Sequence, residues 1–230
     1  MRYGFILTIL LVTASLWAND SLYQALETAS DAEKVLIYQK LASYYHSKDL
    51  EKSVAMSRES IYAAQNTGDE KLLADALYEF GYVSYRRAYN DTALVYVQNA
   101  LEIYMSLNDS TGVGKCYNRL GNIFWHLENQ VEALKYVQKA ITVNKQMNNP
   151  QEYGMALNSL ANMYRSWGDY IKAIDLLSEA NQQYELARSE EGIAWLNFSM
   201  TLLCKRLGNY DAALKAINSS LAASEASAES

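Results

Sequence analysis

The stretch Tyr117–Ala140, YNRLGNIFWHLENQVEALKYVQKA, is followed forty residues later by Leu157–Ala180, LNSLANMYRSWGDYIKAIDLLSEA. Gly81, Gly121, Ala161 and Thr201 keep the same interval, each preceded by a large apolar residue: Phe80, Leu120, Leu160 and Met200. Small residues recur at Ser53, Ala93, Ala133, Ala173 and Ala213, and again at Ser60, Ala100, Ala140, Ala180 and Ser220. Val97, Val137, Leu177 and Ile217 lie between the two small positions. Chance does not hold five small residues in phase twice.

Each unit has the period of two helices. Tyr117, Leu120 and Phe124, then Val131, Leu134, Val137 and Ile141, recur at steps of three or four, the spacing of one helical face. Short polar turns separate the halves: Glu128-Asn129, Gly168-Asp169 and Gly208-Asn209. Glycine ends the first helix there, and Asp or Asn caps the second. Seams between units are also polar, at Asn66–Asp69, Asn108–Ser110 and Asn148–Pro150. Pro150 suits a first helical position, where a missing N–H costs nothing. The small residues imply close antiparallel helices, which approach only where neither side chain is large.

The order of large apolar residue, Gly or Ala, aromatic residue, then two alanines seven apart resembles the tetratricopeptide repeat. That unit usually has about 34 residues. The period of 40 is similar to the longer-helix repeats of kinesin light chains, bacterial peptide-pheromone receptors and the extracytoplasmic sensing arrays of some bacterial kinases. The resemblance covers Ala32 to Ala223. It implies an all-α, right-handed superhelical α-solenoid of about five helix-turn-helix units, near 35–74, 75–114, 115–154, 155–194 and 195–223. Residues 19–34 form an N-terminal capping region, with a short helix expected from Ser21 to Thr28, and 224–230 form a polar tail. In the first unit Leu41-Ala42 stands one place late, which predicts an inter-helix turn one residue shorter. Thr201 replaces the Gly or Ala of the fifth unit, predicting looser packing. Ala212–Ala223 either caps the array, which such repeats need, or continues into a longer chain.

Composition narrows the function. The chain has 230 residues, 50% of them apolar, with one Pro, too apolar for disorder and too poor in turn formers for a β-sandwich. The net charge of −6 argues against a nucleic-acid surface, which needs clustered Lys and Arg. After Arg2 no charge occurs until Asp20, and Phe5–Val12 is apolar apart from Thr8. Small residues at Ala14 and Ala18 complete a secretory signal peptide over residues 1–18, so the protein is expected to be exported, periplasmic or secreted. An uncleaved leader would be its one membrane anchor. Without the leader, 19 basic residues face 26 acidic ones, a net −7.

No catalytic or cofactor motif is present. Gly112-Val-Gly-Lys115 lacks phosphate-loop spacing and is expected in an inter-helix turn. His46 and His126 stand near the ends of first helices without a catalytic partner at motif spacing. Cys116 and Cys204 fall in units too far apart for a disulfide. No metal set, cofactor or enzymatic activity is expected. Sequons begin at Asn90 and Asn108, in expected turns.

In the resembled family the first helix of each unit lines a concave groove, at fixed offsets from the Gly/Ala. Carried over, these offsets mark Asp75, Tyr78, Tyr82, Tyr85 and Arg86 in the second unit, and Lys115, Asn118, Asn122, Trp125 and His126 in the third. They mark Met155, Asn158, Asn162, Arg165 and Ser166 in the fourth, and Trp195, Phe198, Leu202, Lys205 and Arg206 in the fifth. Asn118, Asn122, Asn158 and Asn162 form two i,i+4 pairs whose carboxamides could pair with an extended backbone. The set holds five Lys or Arg against one Asp, in an acidic chain. The expected partner is a protein or extended peptide, acidic or ending in a free carboxylate. Two alternatives stay open: the sensory input region of a membrane signalling protein, and an envelope scaffold that binds through its convex face.

Overall fold

The computed structural model describes residues 21–208; no strand occurs among them. The leader, Ala213, Ile217, Ser220, the region Ala212–Ala223 and the tail 224–230 lie outside. The chain divides into two compact units, Met1–Ile103 and Tyr104–Ser230.

In the first unit, residues 21–26 are helical (α1), two residues fewer than expected, and the Tyr23 hydroxyl lies 3.3 Å from that of Tyr45. Helices α2 (Asp31–Tyr45), α3 (Leu50–Thr67), α4 (Glu70–Arg86) and most of α5 (Asn90–Ser106) follow. Helix α2 packs on α3 and α4, and α3 on α4. In the second unit come α6 (Ser110–His126), α7 (Gln130–Gln146), α8 (Pro150–Trp167), α9 (Tyr170–Ala187) and α10 (Glu190–Leu207). There α6 pairs with α7 and α8 with α9, while the first helices α6, α8 and α10 also touch in sequence.

The forty-residue period is twice a twenty-residue one. A left-handed residue stands at Gly68, Ala88, Asn108, Glu128, Asn148, Gly168, Arg188 and Gly208. Such a residue ends a helix and turns the chain back. The next residue then caps the following helix: Asp69, Asp109, Asn129, Asn149, Asp169 and Ser189 each accept a backbone amide of that helix. First helices begin at Asp31, Glu70, Ser110, Pro150 and Glu190, four or five residues before the approximate unit starts that the resemblance implies.

Two further expectations are corrected. The first inter-helix connector is not shorter. It has four residues, 46–49, one more than between α4 and α5, while α2 stops three residues after Ala42 where α4 runs five past Gly81. No residue of that connector is left-handed. Gly112–Lys115 is no turn either; it lies in the first two turns of α6. A Cβ on Gly112 would overlap the Tyr104 ring, and one on Gly114 the Asn144 side chain, so close approach explains both glycines.

The small-residue pattern is the helix-pair contact. A Cβ on Gly81 would lie 2.6 Å from Val97 Cγ2, and one on Gly121 would overlap Val137 in the same way. Ala93, Ala133 and Ala173, like Ala100, Ala140 and Ala180, have no exposed surface. Where the first pair has serine instead, its hydroxyl donates to the facing helix: Ser53 Oγ to Ala42 O at 2.8 Å, and Ser60 Oγ to Val35 O at 3.4 Å. Cys116 and Cys204 are buried, and neither is in a disulfide.

Candidate functional site

First helices carry the expected groove residues, and each unit presents its own set. In the first unit, Tyr78, Tyr82 and Tyr85 are half-buried on α4 and Arg86 is exposed in its last turn. His46, at the end of α2, stacks on the Tyr82 ring with centroids 5.4 Å apart and planes 11° apart. Burial, and then the nearby Arg86 charge, hold the His46 imidazole below its usual pKa, since both oppose adding a proton. In the same unit Arg87 pairs with Glu51.

In the second unit the four asparagines do not form one ladder. Asn118 and Asn158 are sunk, 5% and 7% exposed, and the Oδ1 of each has no hydrogen-bond partner among the described residues. Asn122 and Asn162, half-buried one turn later, face the next first helix instead. Asn122 Nδ2 donates to Ser159 Oγ at 3.2 Å and Asn162 Nδ2 to Ser199 Oγ at 3.0 Å. The same asparagine-to-serine bond thus joins α6 to α8 and α8 to α10. The physical reason is the helix period: a step of four turns the side chain by about 40° beyond a full circle, enough to bring it from the buried side to a half-buried contact with the next first helix. Ser159 and Ser199 are also forty apart in the sequence, a signal present but unread.

Arg165 lies one turn beyond Asn162, its Nε donating to Asn162 Oδ1 at 3.3 Å. Burial lowers its pKa first and the charge of Arg206 second, so the two guanidiniums of α8 and α10 repel one another. Lys205 and Arg206 are both exposed in the last turn of α10. Trp125, half-buried, meets Trp167 edge-on with centroids 5.5 Å apart; Trp167 in turn meets Tyr164 at 5.3 Å. Trp167, absent from the expected set, donates Nε1–H to Gln130 Oε1 at 3.2 Å. An aromatic cluster and a cationic pair thus both stand near the C-terminal ends of these first helices. That arrangement attracts a carboxylate beside an apolar or aromatic group.

Among the described residues no group of three or more His, Cys, Asp or Glu could hold a metal, and no helix is long and apolar enough to cross a membrane.

Residues 113–151 match the tetratricopeptide-repeat family model, a span covering most of α6 and all of α7. None of the curated protein sequences matches the chain. Among solved structures, BtubC (BKLC) from P. vanneervenii is similar over 94% of this chain and 90% of its own, at 19% identity and a TM-score of 0.65. Aspartyl phosphate phosphatase F from Bacillus subtilis is similar over 90% of this chain and 55% of its own, at 17% identity and a TM-score of 0.66. A Rap protein complexed with Competence and Sporulation Factor matches over 97% of this chain and 74% of its own, at 16% identity and a TM-score of 0.64. At these identities the likeness is one of fold. The chain carries a tetratricopeptide repeat at residues 113–151 and has the all-α, paired-helix solenoid fold of tetratricopeptide-repeat proteins.

Proposed function

We propose that this is an exported, non-catalytic interaction module whose first-helix face in the second unit holds an acidic segment, or the free C-terminal carboxylate, of a protein or peptide. The observation that carries the reading is the placing of Arg165 and Arg206 in the last turns of the touching helices α8 and α10, where their charges repel, in a chain of net charge −6. A carboxylate between them would relieve that repulsion and accept charge-assisted hydrogen bonds. Trp125, half-buried at the end of α6, supplies apolar surface, and Asn122 and Asn162 bond each first helix to the next. Support also comes from the fold shared with a Rap protein solved with Competence and Sporulation Factor. Export rests on the charge-free run before Asp20; the mature N-terminus is then expected at Ser15 or Asn19, which N-terminal sequencing would read.

The binding test is a pull-down from the native envelope with wild type beside Arg165→Glu, followed by titration of the captured partner. Reversing one charge should slow association most at low ionic strength, because salt screens the steering field. Capture of the same partner with the same affinity and salt dependence by both proteins would move the search to another face.

A further inference from the structure

In the first unit a solvent-open cleft of about 360 Å³ runs between the second helices α3 and α5. Its floor is apolar: Ile61 and Leu77 are buried there, and Tyr96 closes one side. Tyr62 and Val95 on its banks stay 54% and 51% exposed, an unusual amount of bare apolar surface for facing positions. The polar groups on the rim are Arg58, Gln65 and Asn99. Among the described residues none of the three forms a hydrogen bond or ion pair through its side chain. Arg58 rests on the Phe80 ring, its guanidinium carbon 5.9 Å from the centroid, and Phe80 packs on Tyr96 at 4.4 Å. A guanidinium laid on a ring keeps its N–H edge available for a carboxylate.

We propose that this cleft is a second docking site, independent of the first-helix face, for a protein segment that presents one large apolar side chain beside an aspartate or glutamate. The apolar side chain fills the space over Leu77. The carboxylate pairs with Arg58, the one charge lining the cleft. Gln65 and Asn99 each offer a donor and an acceptor suited to the main chain of the segment. The charge and these paired amides favour a polypeptide over a purely apolar partner.

The test uses the whole chain with methyl groups labelled for NMR, titrated with acetyl-Glu-Leu-Trp-Glu-amide and with the same peptide bearing lysines in place of the glutamates. The acidic peptide should shift the methyls of Ile61, Leu77 and Val95, and the lysine peptide should not. Arg58→Gln should weaken the acidic peptide by about threefold or more, as loss of a partly exposed ion pair does. Arg165→Glu should leave the shifts of Ile61, Leu77 and Val95 unchanged, which separates this site from the proposed groove. Equal binding of both peptides, shifts confined to Val137 and Leu177, or no shift at millimolar peptide would overturn the proposal. So would a dimer in sedimentation that Val95→Glu dissolves, since a second copy of the chain would then own the cleft.

Discussion

Asn144 occupies the position that Tyr184 fills one repeat later, and both side chains are completely buried. Tyr184 lies between two glycines: a Cβ on Gly154 would stand 2.8 Å from its ring, and one on Gly192 would overlap it. Around Asn144 the first glycine is retained as Gly114, but the second is Glu152. Neither amide atom of Asn144 has a hydrogen-bond partner among the described residues, a costly arrangement for a buried carboxamide.

The Asn144–Glu152 pair should therefore be exchangeable as a unit. Asn144→Tyr alone inserts a ring beside Glu152 and should destabilise by about 1–3 kcal/mol, the usual cost of overpacking. With Glu152→Gly added, the ring gains the space that Tyr184 has, and most of that loss should return. Urea unfolding of the two single variants and the double variant gives the coupling. Strict additivity would mean that Glu152 does not fill the ring's space.

Glu152 carries its own pH signature. Burial raises its carboxyl pKa, while Lys115, 3.9 Å away, and Arg119 pull it back only in part. A raised folded-state pKa means that the folded chain holds the proton more tightly than the unfolded chain does. Its contribution is complete below the ordinary glutamate value, near 4.3, and is lost as pH rises through the raised one. Glu152→Gln should accordingly be more stable than wild type at neutral pH, the advantage shrinking on acidification. A variant less stable than wild type at pH 7 would show that the Lys115 and Arg119 attraction outweighs burial.

The small-residue phase makes a simpler statement about packing. Ala133 has no exposed surface and its carbonyl oxygen faces Gly121, whereas Val131, two residues earlier, is 77% exposed. Ala133→Leu should cost about 1–3 kcal/mol by overpacking, and Val131→Ser should change stability by less than about 0.5 kcal/mol. Thermal unfolding of both variants separates the faces; equal effects would show that the helix pairing is wrong.

Ala133, Gly121 and Val137 also explain what the sequence makes legible. Helix pairing rests on volume, and volume is written directly in residue type, so the forty-residue phase exposes it. Asn118 and Glu152 are the opposite case. Both are polar residues with ordinary surface propensities, and only the packing of neighbouring helices decides that they are sunk. The fates of Asn118 and Asn122 diverge over a single helical turn, which a fixed-offset rule treats as one face. Arg165 and Arg206 lie forty-one residues apart in the sequence, and their adjacency follows only once α8 and α10 touch. The cleft beside Arg58 had no signal, because its apolar residues share the spacing of ordinary core.

Each asparagine–serine bond between first helices should couple its own two residues energetically. Asn162→Ala removes the donor to Ser199 Oγ, and Ser199, 1% exposed, then keeps a buried hydroxyl without that partner. A net hydrogen bond contributes about 0.5–1.5 kcal/mol. The cycle of Asn162→Ala and Ser199→Ala should show coupling of that size. Asn122→Ala with Ser199→Ala, which share no bond, should be additive. Coupling in the second cycle equal to that in the first would refute a direct bond.

His46 gives the last prediction, because its pKa moves in the opposite sense to a protonation that stabilises. The imidazole stacks on Tyr82 and stands near Arg86, so burial first and the guanidinium second disfavour its charged form. Its folded-state value lies below the usual His value near 6.5, so the unfolded chain binds the proton more readily. Stability must then fall as pH drops from about 6.5 through the lowered folded value, and be unaffected by His46 above that window. His46→Gln keeps a planar polar group against Tyr82 and removes the titration. Urea midpoints compared between pH 7.5 and 5 should decline more for wild type than for this variant, since the other titrating groups are common to both. Arg86→Gln, which removes the second cause and leaves burial in place, should reduce the decline without abolishing it. Identical slopes for wild type and His46→Gln would show that the imidazole protonates as easily in the folded chain as in the unfolded one, and that the stack does not shield it.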